Sequence, residues 1–579
     1  MTAWSSFLGL PAVEIGSRPL ASVRLRSLTT ILLLAAAGVT AIVATVGVAT
    51  TTASAASLLA GPGFGIVIAE LVAIAAFVVA VHGGSFRLAT SALVVVVVVM
   101  RLPAVAAVAD PVYTWTYKHL GVVDYIATTG HATPTDVDIY SGWPGFFAAF
   151  AWLHSATGIS TTQLAQWFPL AIDLACAAAV YALARAATLA PLPALTASMI
   201  SVLVNWVAQD YFSPQAISYV LALVVLALLL HGRRRPLYGW LSVPAFLGIV
   251  VTHQLTPFWL IVSALALGVL GRIRPRWIGV VYGLIAGVYL LLERASLGHE
   301  AIVNTSSPLE TATDTATTFA SGSIDQLAAT LAARGVAVSV YLLCAIVLVL
   351  AWRRGGRGWT VASVGGVLTF APLLLLTVQS YGGEGILRAY LYGVPGAALL
   401  LAPVAYASVR AGSRIARVVT AGLAVAILIG SLQALYGNWR IQLVTPGAIA
   451  VTQYALETIP DDAYLLSPGA GGPNRAVGDY VRHAVVDSGF DIPMSAWAGW
   501  PGSDFTGTQW LTQLERGMGG SGRPVYIIVT DGMAAQSDYL GTYPAGSIDR
   551  FQQALLDDPD WRVVFSVGGN RLFELVPSE

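Results

Sequence analysis

The chain has 579 residues, enough for three or four soluble domains, yet 56% of it is hydrophobic and only 10% charged, with mean hydropathy +0.73. Such a composition excludes a soluble globular protein and specifies a polytopic α-helical membrane protein. The net charge is zero and the arginines are sorted by topology, which gives no case for nucleic acid. Cys176 and Cys344 each sit in an apolar run, so neither a disulfide framework nor a zinc site is indicated.

Taken in chain order, apolar runs of spanning length fall at about 28–48, 64–81, 88–109, 166–184, 192–208, 214–231, 238–252, 257–271, 277–292, 335–352, 359–378, 389–408 and 417–436. That makes about 13 transmembrane helices. The first run is too long for a cleaved leader and is expected to stay as an anchor. Arg18, Arg24 and Arg26 precede it. Arg87, Arg185, Arg233 to Arg235, Arg272, Arg274, Arg276, Arg353, Arg354, Arg357, Arg410, Arg414 and Arg417 then occupy every second connection. Because such residues stay on the cytoplasmic side, the N-terminus is expected inside and everything after Tyr436 outside, in the plasma membrane of a cell. The near-total preference for arginine over lysine, with much alanine and valine, suggests a high-GC bacterium.

The chain divides into an N-terminal tail with two helices (1–87), a transmembrane domain (88–436) and an extracytoplasmic α/β domain (437–579). Two long outer loops are expected, at 110–165 and 296–335; the second, rich in Thr, Ser and Ala, reads as a lid or a floppy connection. Trp143 to Ser155 is apolar but short. Counting it as a span would reverse every later arginine loop, so it reads as an interfacial or re-entrant helix with its aromatics at the headgroup boundary.

Asp110 ends the helix of Leu88 to Ala109 on the outer side. It is either a base or simply a charge in water. Tyr113, Trp115, Tyr117, Lys118 and His119 follow in an interfacial helix, where the aromatics form a belt or a substrate surface and Lys118 snorkels or binds phosphate. Asp210 and His253 emerge on the same side and could share a cleft with Asp110 in an acid–base role, or be loop residues in water. Arg388 stands alone on the arginine-poor side, just before Tyr390. Its planar fork suits a phosphate, the alternative being an ion pair with Glu384 four residues earlier. Within the membrane lie Glu70 and Asp173, either proton relays or protonated groups bonded to neighbours, with Arg101 a candidate partner for Glu70.

In the tail, strands are expected at Ala463 to Ser467, Val525 to Thr530, Trp561 to Ser566 and Arg571 to Leu575, with helices at Val451 to Thr458 and Ile548 to Leu556. The fully apolar Val525 to Thr530 reads as the central strand. Pro468 to Asn474 is glycine-rich but lacks a dinucleotide fingerprint. Trp497, Trp500 and Trp510 suit sugar stacking or core packing.

Over about 88–436 the arrangement resembles the C-type membrane glycosyltransferases (GT-C fold), in the branch of protein O-mannosyltransferases and lipid A aminoarabinose transferases. The resemblance rests on Asp110 at an outward helix end, the interfacial segment from Tyr113 to Ile126, Trp143-Pro144-Gly145-Phe146-Phe147 in place of a Pro-Pro-Leu element, and Arg388-Ala389-Tyr390 before an incoming helix. It implies sugar transfer from a polyprenyl-phosphate donor to an outer glycan, lipid or protein acceptor. Asp110 would be the base and Arg388, helped by Lys118, would hold the phosphate; Asp210, His253, Tyr113, Trp115 and Tyr390 would line the substrate. No cofactor is demanded, although a divalent metal held by Asp110, Asp124 and Asp210 is an option. A polysaccharide polymerase or ligase on the same face remains an alternative, as do a transporter or lipid flippase and a non-catalytic sugar-sensing scaffold.

Overall fold

The computed structural model describes residues 20–50, 57–293, 322–377, 384–497, 499–500 and 504–576. The helices are α1 (Leu20–Thr50), α2 (Phe64–Gly83), α3 (Phe86–Ala106), α4 (Thr114–Thr129), α5 (Gly145–Thr157), α6 (Thr161–Ala186), α7 (Pro191–Val204), α8 (Pro214–His231), α9 (Pro236–Val250) and α10 (Thr256–Val269). They continue with α11 (Ile278–Leu292), α12 (Ile324–Arg354), α13 (Gly356–Phe370), α14 (Gly385–Ala411) and α15 (Arg414–Tyr436). Nine stretches among the described residues are long and apolar enough to cross a membrane, and α7, α9, α10 and α11 are shorter apolar helices. The protein is therefore a multi-pass helical membrane protein.

Helix starts follow local chemistry. Ser160 caps α6 in a capping box with Gln163, while Ser213, Ser323 and Ser413 cap α8, α12 and α15 by accepting from backbone amides. The Ser323 cap, with Asp325 in the first turn, starts α12 at Ile324, so the outer loop expected to run to 335 ends earlier. Most of that loop lies outside the described residues. At 31 residues α12 is about 46 Å long, more than the hydrocarbon thickness requires, and its start meets the tail, Ser323 N–H donating to the Tyr539 carbonyl at 2.9 Å. Pro103 sits in the last turn of α3, which ends at Ala106 and leaves Asp110 in a short loop beyond the helix rather than at its end.

Residues of α1 to α3 and α15 share one hydrophobic core cluster. A second cluster joins α6 to α11 with α13 and α14. Small residues allow close crossings: a Cβ on Gly396 of α14 would overlap the Thr369 amide of α13.

Helix α5 forms as expected, but its aromatics do not line a lipid boundary. Phe146 and Phe147 are buried, and with Phe150, Phe168 and Phe212 they form an edge-to-face cluster with centroids 4.7–6.0 Å apart. Trp152 alone of these aromatics is strongly exposed, at 70%. Helix α4 is likewise not simply interface-lying, because the tail domain packs over it: Tyr117, Leu120 and Val123 share a core with Tyr480, Val481 and Ala484. A Cβ on Gly121 would overlap the Arg475 carbonyl oxygen, which sets how closely the two approach.

The tail folds as α16 (Pro446–Thr458), β1 (Tyr464–Leu466), α17 (Tyr480–Val486), α18 (Gln509–Gly519), β2 (Val525–Val529), α19 (Asp531–Leu540), α20 (Ser547–Asp557), β3 (Trp561–Val567) and β4 (Asn570–Leu575). The sheet order is β1-β2-β4-β3, with β1 and β2 parallel and the other pairs antiparallel. Every residue of β2 is buried, as its apolar run predicts. The glycine-rich turn after β1 serves packing: Gly471, at φ +109°, lies against Gly532 so closely that a side chain on either would overlap the other's backbone. Trp497, Trp500 and Trp510 pack on the tail's core, with Trp500 Nε1 donating to Tyr543 Oη at 3.2 Å.

Candidate functional site

Residues at the start of α4, the connection between α7 and α8 and the start of α14 converge at one end of the helical bundle. Tyr113 has a left-handed backbone, φ 76°, an uncommon conformation for a bulky residue, and its amide donates to the Gln442 carbonyl at 2.6 Å. Its ring meets Tyr211 edge-on at 4.6 Å, and Tyr211 stacks on His119 at 5.7 Å. Two further strained residues, Ala208 (φ 57°) and Gln209 (φ 53°), shape the connection that carries Asp210 and Tyr211. Burial pushes the Tyr113 and Tyr211 phenols well above their usual range, and both lie in the field of Glu384 and Arg388.

Arg388 is buried at the start of α14, its Nη1 2.6 Å from Glu384 Oε2. The ion pair considered from the sequence is therefore formed. Ile386, Leu387 and Tyr390 of the same turn line an apolar groove of about 820 Å³, closed by α12, by α15 and by Tyr539 and Leu540 of the tail. Tyr390 itself donates to the Val204 carbonyl at 2.7 Å and packs on Trp206. Arg334 of α12 also lines the groove; it was hidden in the sequence because its segment read as loop.

His253 lies in the same neighbourhood, within the field of Arg388 and His119, but it has a structural task. Its Nδ1 accepts from the amides of Leu255 and Thr256 at 3.3 and 3.2 Å and meets Thr256 Oγ1 at 2.9 Å, capping α10 in place of a serine. That leaves the proton on Nε2. His119 adopts the other tautomer, with Nδ1 donating to the Phe212 carbonyl at 2.7 Å and Nε2 accepting from Tyr140 Oη at 3.1 Å. The sequence places His119 in the interfacial segment but gives it no role of its own, since nothing local announces a contact 93 positions away.

Burial lowers both imidazoles from 6.5 to about 3. It raises the Asp210 carboxyl to about 7 against the pull of Arg101. Between pH 6 and 5 each histidine would take up a proton on unfolding, so its contribution is present above about pH 6.5 and lost on acidification. Asp210 works the other way: its contribution is present below the ordinary carboxylate value and lost as pH rises through about 7. Two histidines against one aspartate leave a net loss of stability on acidification. His253→Gln should lower that slope by about 1.4 kcal/mol per pH unit, measured as unfolding midpoints against pH in detergent; an unaltered slope would contradict the neutral buried assignment.

Asp110 is half-exposed, and partial burial raises its pKa. Among the described residues it makes no ion pair or side-chain hydrogen bond, although it lies in the field of Tyr117, whose hydroxyl donates to the Pro111 carbonyl at 3.0 Å.

Four expectations change. Lys118 is not free for phosphate: its Nζ lies 2.6 Å from Asp491 of the tail and 4.4 Å from the centroid of the Trp115 ring. Asp491 also binds Arg475 at 3.1 Å and Asn474 at 2.7 Å, while Asp138 binds Arg475 at 3.3 Å and Tyr480 at 2.6 Å. This network, with Asp124 accepting from the Gly478 amide at 2.8 Å, clamps the tail onto α4 and the loop that follows it. Asp210 does not face the cleft with His253; its carboxylate turns to Arg101 at 2.8 Å. Asp110, Asp124 and Asp210 therefore form no metal-holding group, and among the described residues Glu515, Asp558 and Asp560 are the acids that come close enough together. Arg101 pairs with Asp173, at 2.6 Å, and Asp210 rather than with Glu70.

No family model and no curated protein matches the sequence. Among solved structures the chain is similar to ArnT from Cupriavidus metallidurans in the apo state, at 13% identity and TM-score 0.48, over 84% of this chain and 97% of that one. It is similar also to ArnT from Cupriavidus metallidurans bound to undecaprenyl phosphate, at 14% identity and TM-score 0.44, over 84% of this chain and 97% of that one.

Proposed function

We propose that the protein is a GT-C-type membrane glycosyltransferase that moves a sugar from a polyprenyl-phosphate donor to an acceptor on the outer face of the membrane. The observation that carries this reading is an apolar groove lined in part by Ile386, Leu387 and Tyr390, neighbours of the buried Arg388 in the first turns of α14. An apolar chain in the groove would bring its phosphate toward the turn that carries the buried Arg388 guanidinium, and 820 Å³ lies within the usual range of ligand pockets. Arg388, with Arg334 lining the groove, would stabilise negative charge on the leaving phosphate. Glu384 holds the Arg388 fork in place, and Tyr113 and Tyr211 add polar hydroxyls beside it. Asp110, half-exposed and without an ion pair or side-chain hydrogen bond among the described residues, would take the acceptor's proton. The tail, clamped by Lys118, Asp491, Arg475 and Asp138, would hold the acceptor side of the cleft rather than contact phosphate.

Arg388→Ala should weaken binding of polyprenyl phosphate by ten- to a hundredfold, about the 1.5–3 kcal/mol of a charge-assisted hydrogen bond. Binding of the carrier to the purified protein measures it. Unchanged affinity would remove Arg388 from the phosphate site.

A further inference from the structure

The end of the bundle opposite the cleft carries a concentration of positive charge. Helices α8 and α10 start beside the cleft, after Tyr211 and His253, and finish at the other end. There Arg233, Arg234 and Arg235 connect α8 to α9, and Arg272, Arg274 and Arg276 connect α10 to α11. No Asp or Glu occurs from Tyr211 to Leu292, and among the described residues none of these six arginines makes an ion pair. The two connections are nevertheless packed into contact: a Cβ on Gly232 or Gly239 would stand 2.4 or 2.1 Å from the Arg274 carbonyl oxygen. Backbone packing therefore sets the spacing of like charges that repel one another.

Arg272 shows the consequence. It is partly buried, and burial, then the field of Arg233, pull its guanidinium below the ordinary arginine value. Among the described residues its Nε has no acceptor, and Nη1 reaches Thr360 Oγ1 of α13 at 3.5 Å, the outer limit of a hydrogen bond. The fork of such a guanidinium suits phosphate oxygens. Beside the arginines the surface turns aromatic and apolar. Helices α9 and α11 are neighbours, Phe246 stacking on Tyr282 at 4.0 Å, and at their arginine ends Trp240 and Trp277 meet edge-on at 5.4 Å. These two indoles are 42% and 56% exposed, with Leu241 and Val280 half-exposed next to them. Exposed tryptophans at helix ends sit at headgroup depth, so the arginines stand at the level of lipid phosphates and Leu241 and Val280 where acyl chains begin.

We infer that this corner binds the headgroup of an anionic phospholipid, with Arg233, Arg272 and Arg274 around the phosphate, Trp240 and Trp277 at the glycerol level and the acyl chains along Leu241 and Val280. Retention of arginine on one side of a membrane accounts for the sign of the patch. It does not account for two acid-free connections locked together beside an exposed indole pair, which is the arrangement of a basic headgroup pocket between helices. A free phosphate would satisfy the guanidiniums and leave the aromatic and apolar border unused; that border selects a lipid. The bound headgroup would offset the repulsion between Arg233 and Arg272 and hold the two connections in place. The site stands independently of the proposed transferase activity.

Native mass spectrometry of the full chain, released from micelles holding phosphatidylglycerol and phosphatidylcholine in equal amounts, tests it. The expected result is retention of phosphatidylglycerol in preference to phosphatidylcholine. Arg272→Gln and Arg274→Gln should each weaken that retention by about fivefold, the contribution of one arginine at a membrane surface. Arg414→Gln, an exposed arginine at the same end of the bundle before α15, should leave it unchanged. Because Arg272 also touches Thr360, the exposed Arg274 decides between a lost ligand and a disturbed fold. Equal retention of the two lipids would overturn the proposal. An equal loss in Arg414→Gln would overturn it as well, by reducing the effect to the general attraction of a basic face. Displacement of phosphatidylglycerol by inorganic phosphate at equal concentration would replace the lipid with a free anion.

Discussion

Asp110→Asn should reduce sugar transfer by two to four orders of magnitude, the usual contribution of a general base, while leaving carrier binding and thermal stability unchanged. The amide keeps the shape of the side chain and removes its basicity. Stability should not move, because Asp110 is half-exposed and no ion pair or side-chain hydrogen bond among the described residues is lost with it. The neighbouring candidates are occupied otherwise. His253 spends its basic nitrogen on the cap of α10, His119 receives the Tyr140 hydroxyl on its own, and Asp210 is held by Arg101. Transfer of polyprenyl-linked sugar in membranes of a deletion strain carrying the variant is the measurement. Full transfer by the asparagine protein would refute the base assignment and return Asp110 to an exposed loop charge.

Arg101→Leu should destabilise the protein by about 3–5 kcal/mol, the cost of leaving a buried charge without its partner. Here two carboxylates, Asp173 and Asp210, lose the same guanidinium, and Asp210 leads directly into the stack of Tyr211 on His119. The triple variant Arg101→Leu, Asp173→Asn, Asp210→Asn should recover much of that loss, since coupled groups are not additive. Unfolding midpoints of the three proteins in detergent decide it. A single variant within about 1 kcal/mol of the parent would show that the cluster is hydrated rather than dry.

Much was legible along the chain because its signals are local. An apolar run of spanning length, a serine before a helix, the alternation of arginine-bearing connections and the uninterrupted Val525-Tyr526-Ile527-Ile528-Val529 each carry their own physical reason within a few residues. The membrane class, most helix positions, the short α5 and the four strands of the tail follow from these. Errors arose where a local signal had two tertiary uses. Aromatics such as Phe146 and Phe147 suit a lipid boundary and a packed cluster equally well by sequence, and the fold of the tail over α4 chose the second.

Partnership was decided by tertiary structure. Lys118 and Asp491 are 373 positions apart, Arg101 reaches Asp173 and Asp210 across 72 and 109, and no periodicity encodes such pairs. The groove beside the Arg388 turn likewise exists only because α12, α14, α15 and the tail's Tyr539 close around a common space. Burial and hydrophobic period determine where a chain crosses a bilayer, because each residue meets lipid on its own terms. Which charge answers which depends on distances set by the whole bundle, and those the sequence by itself left open.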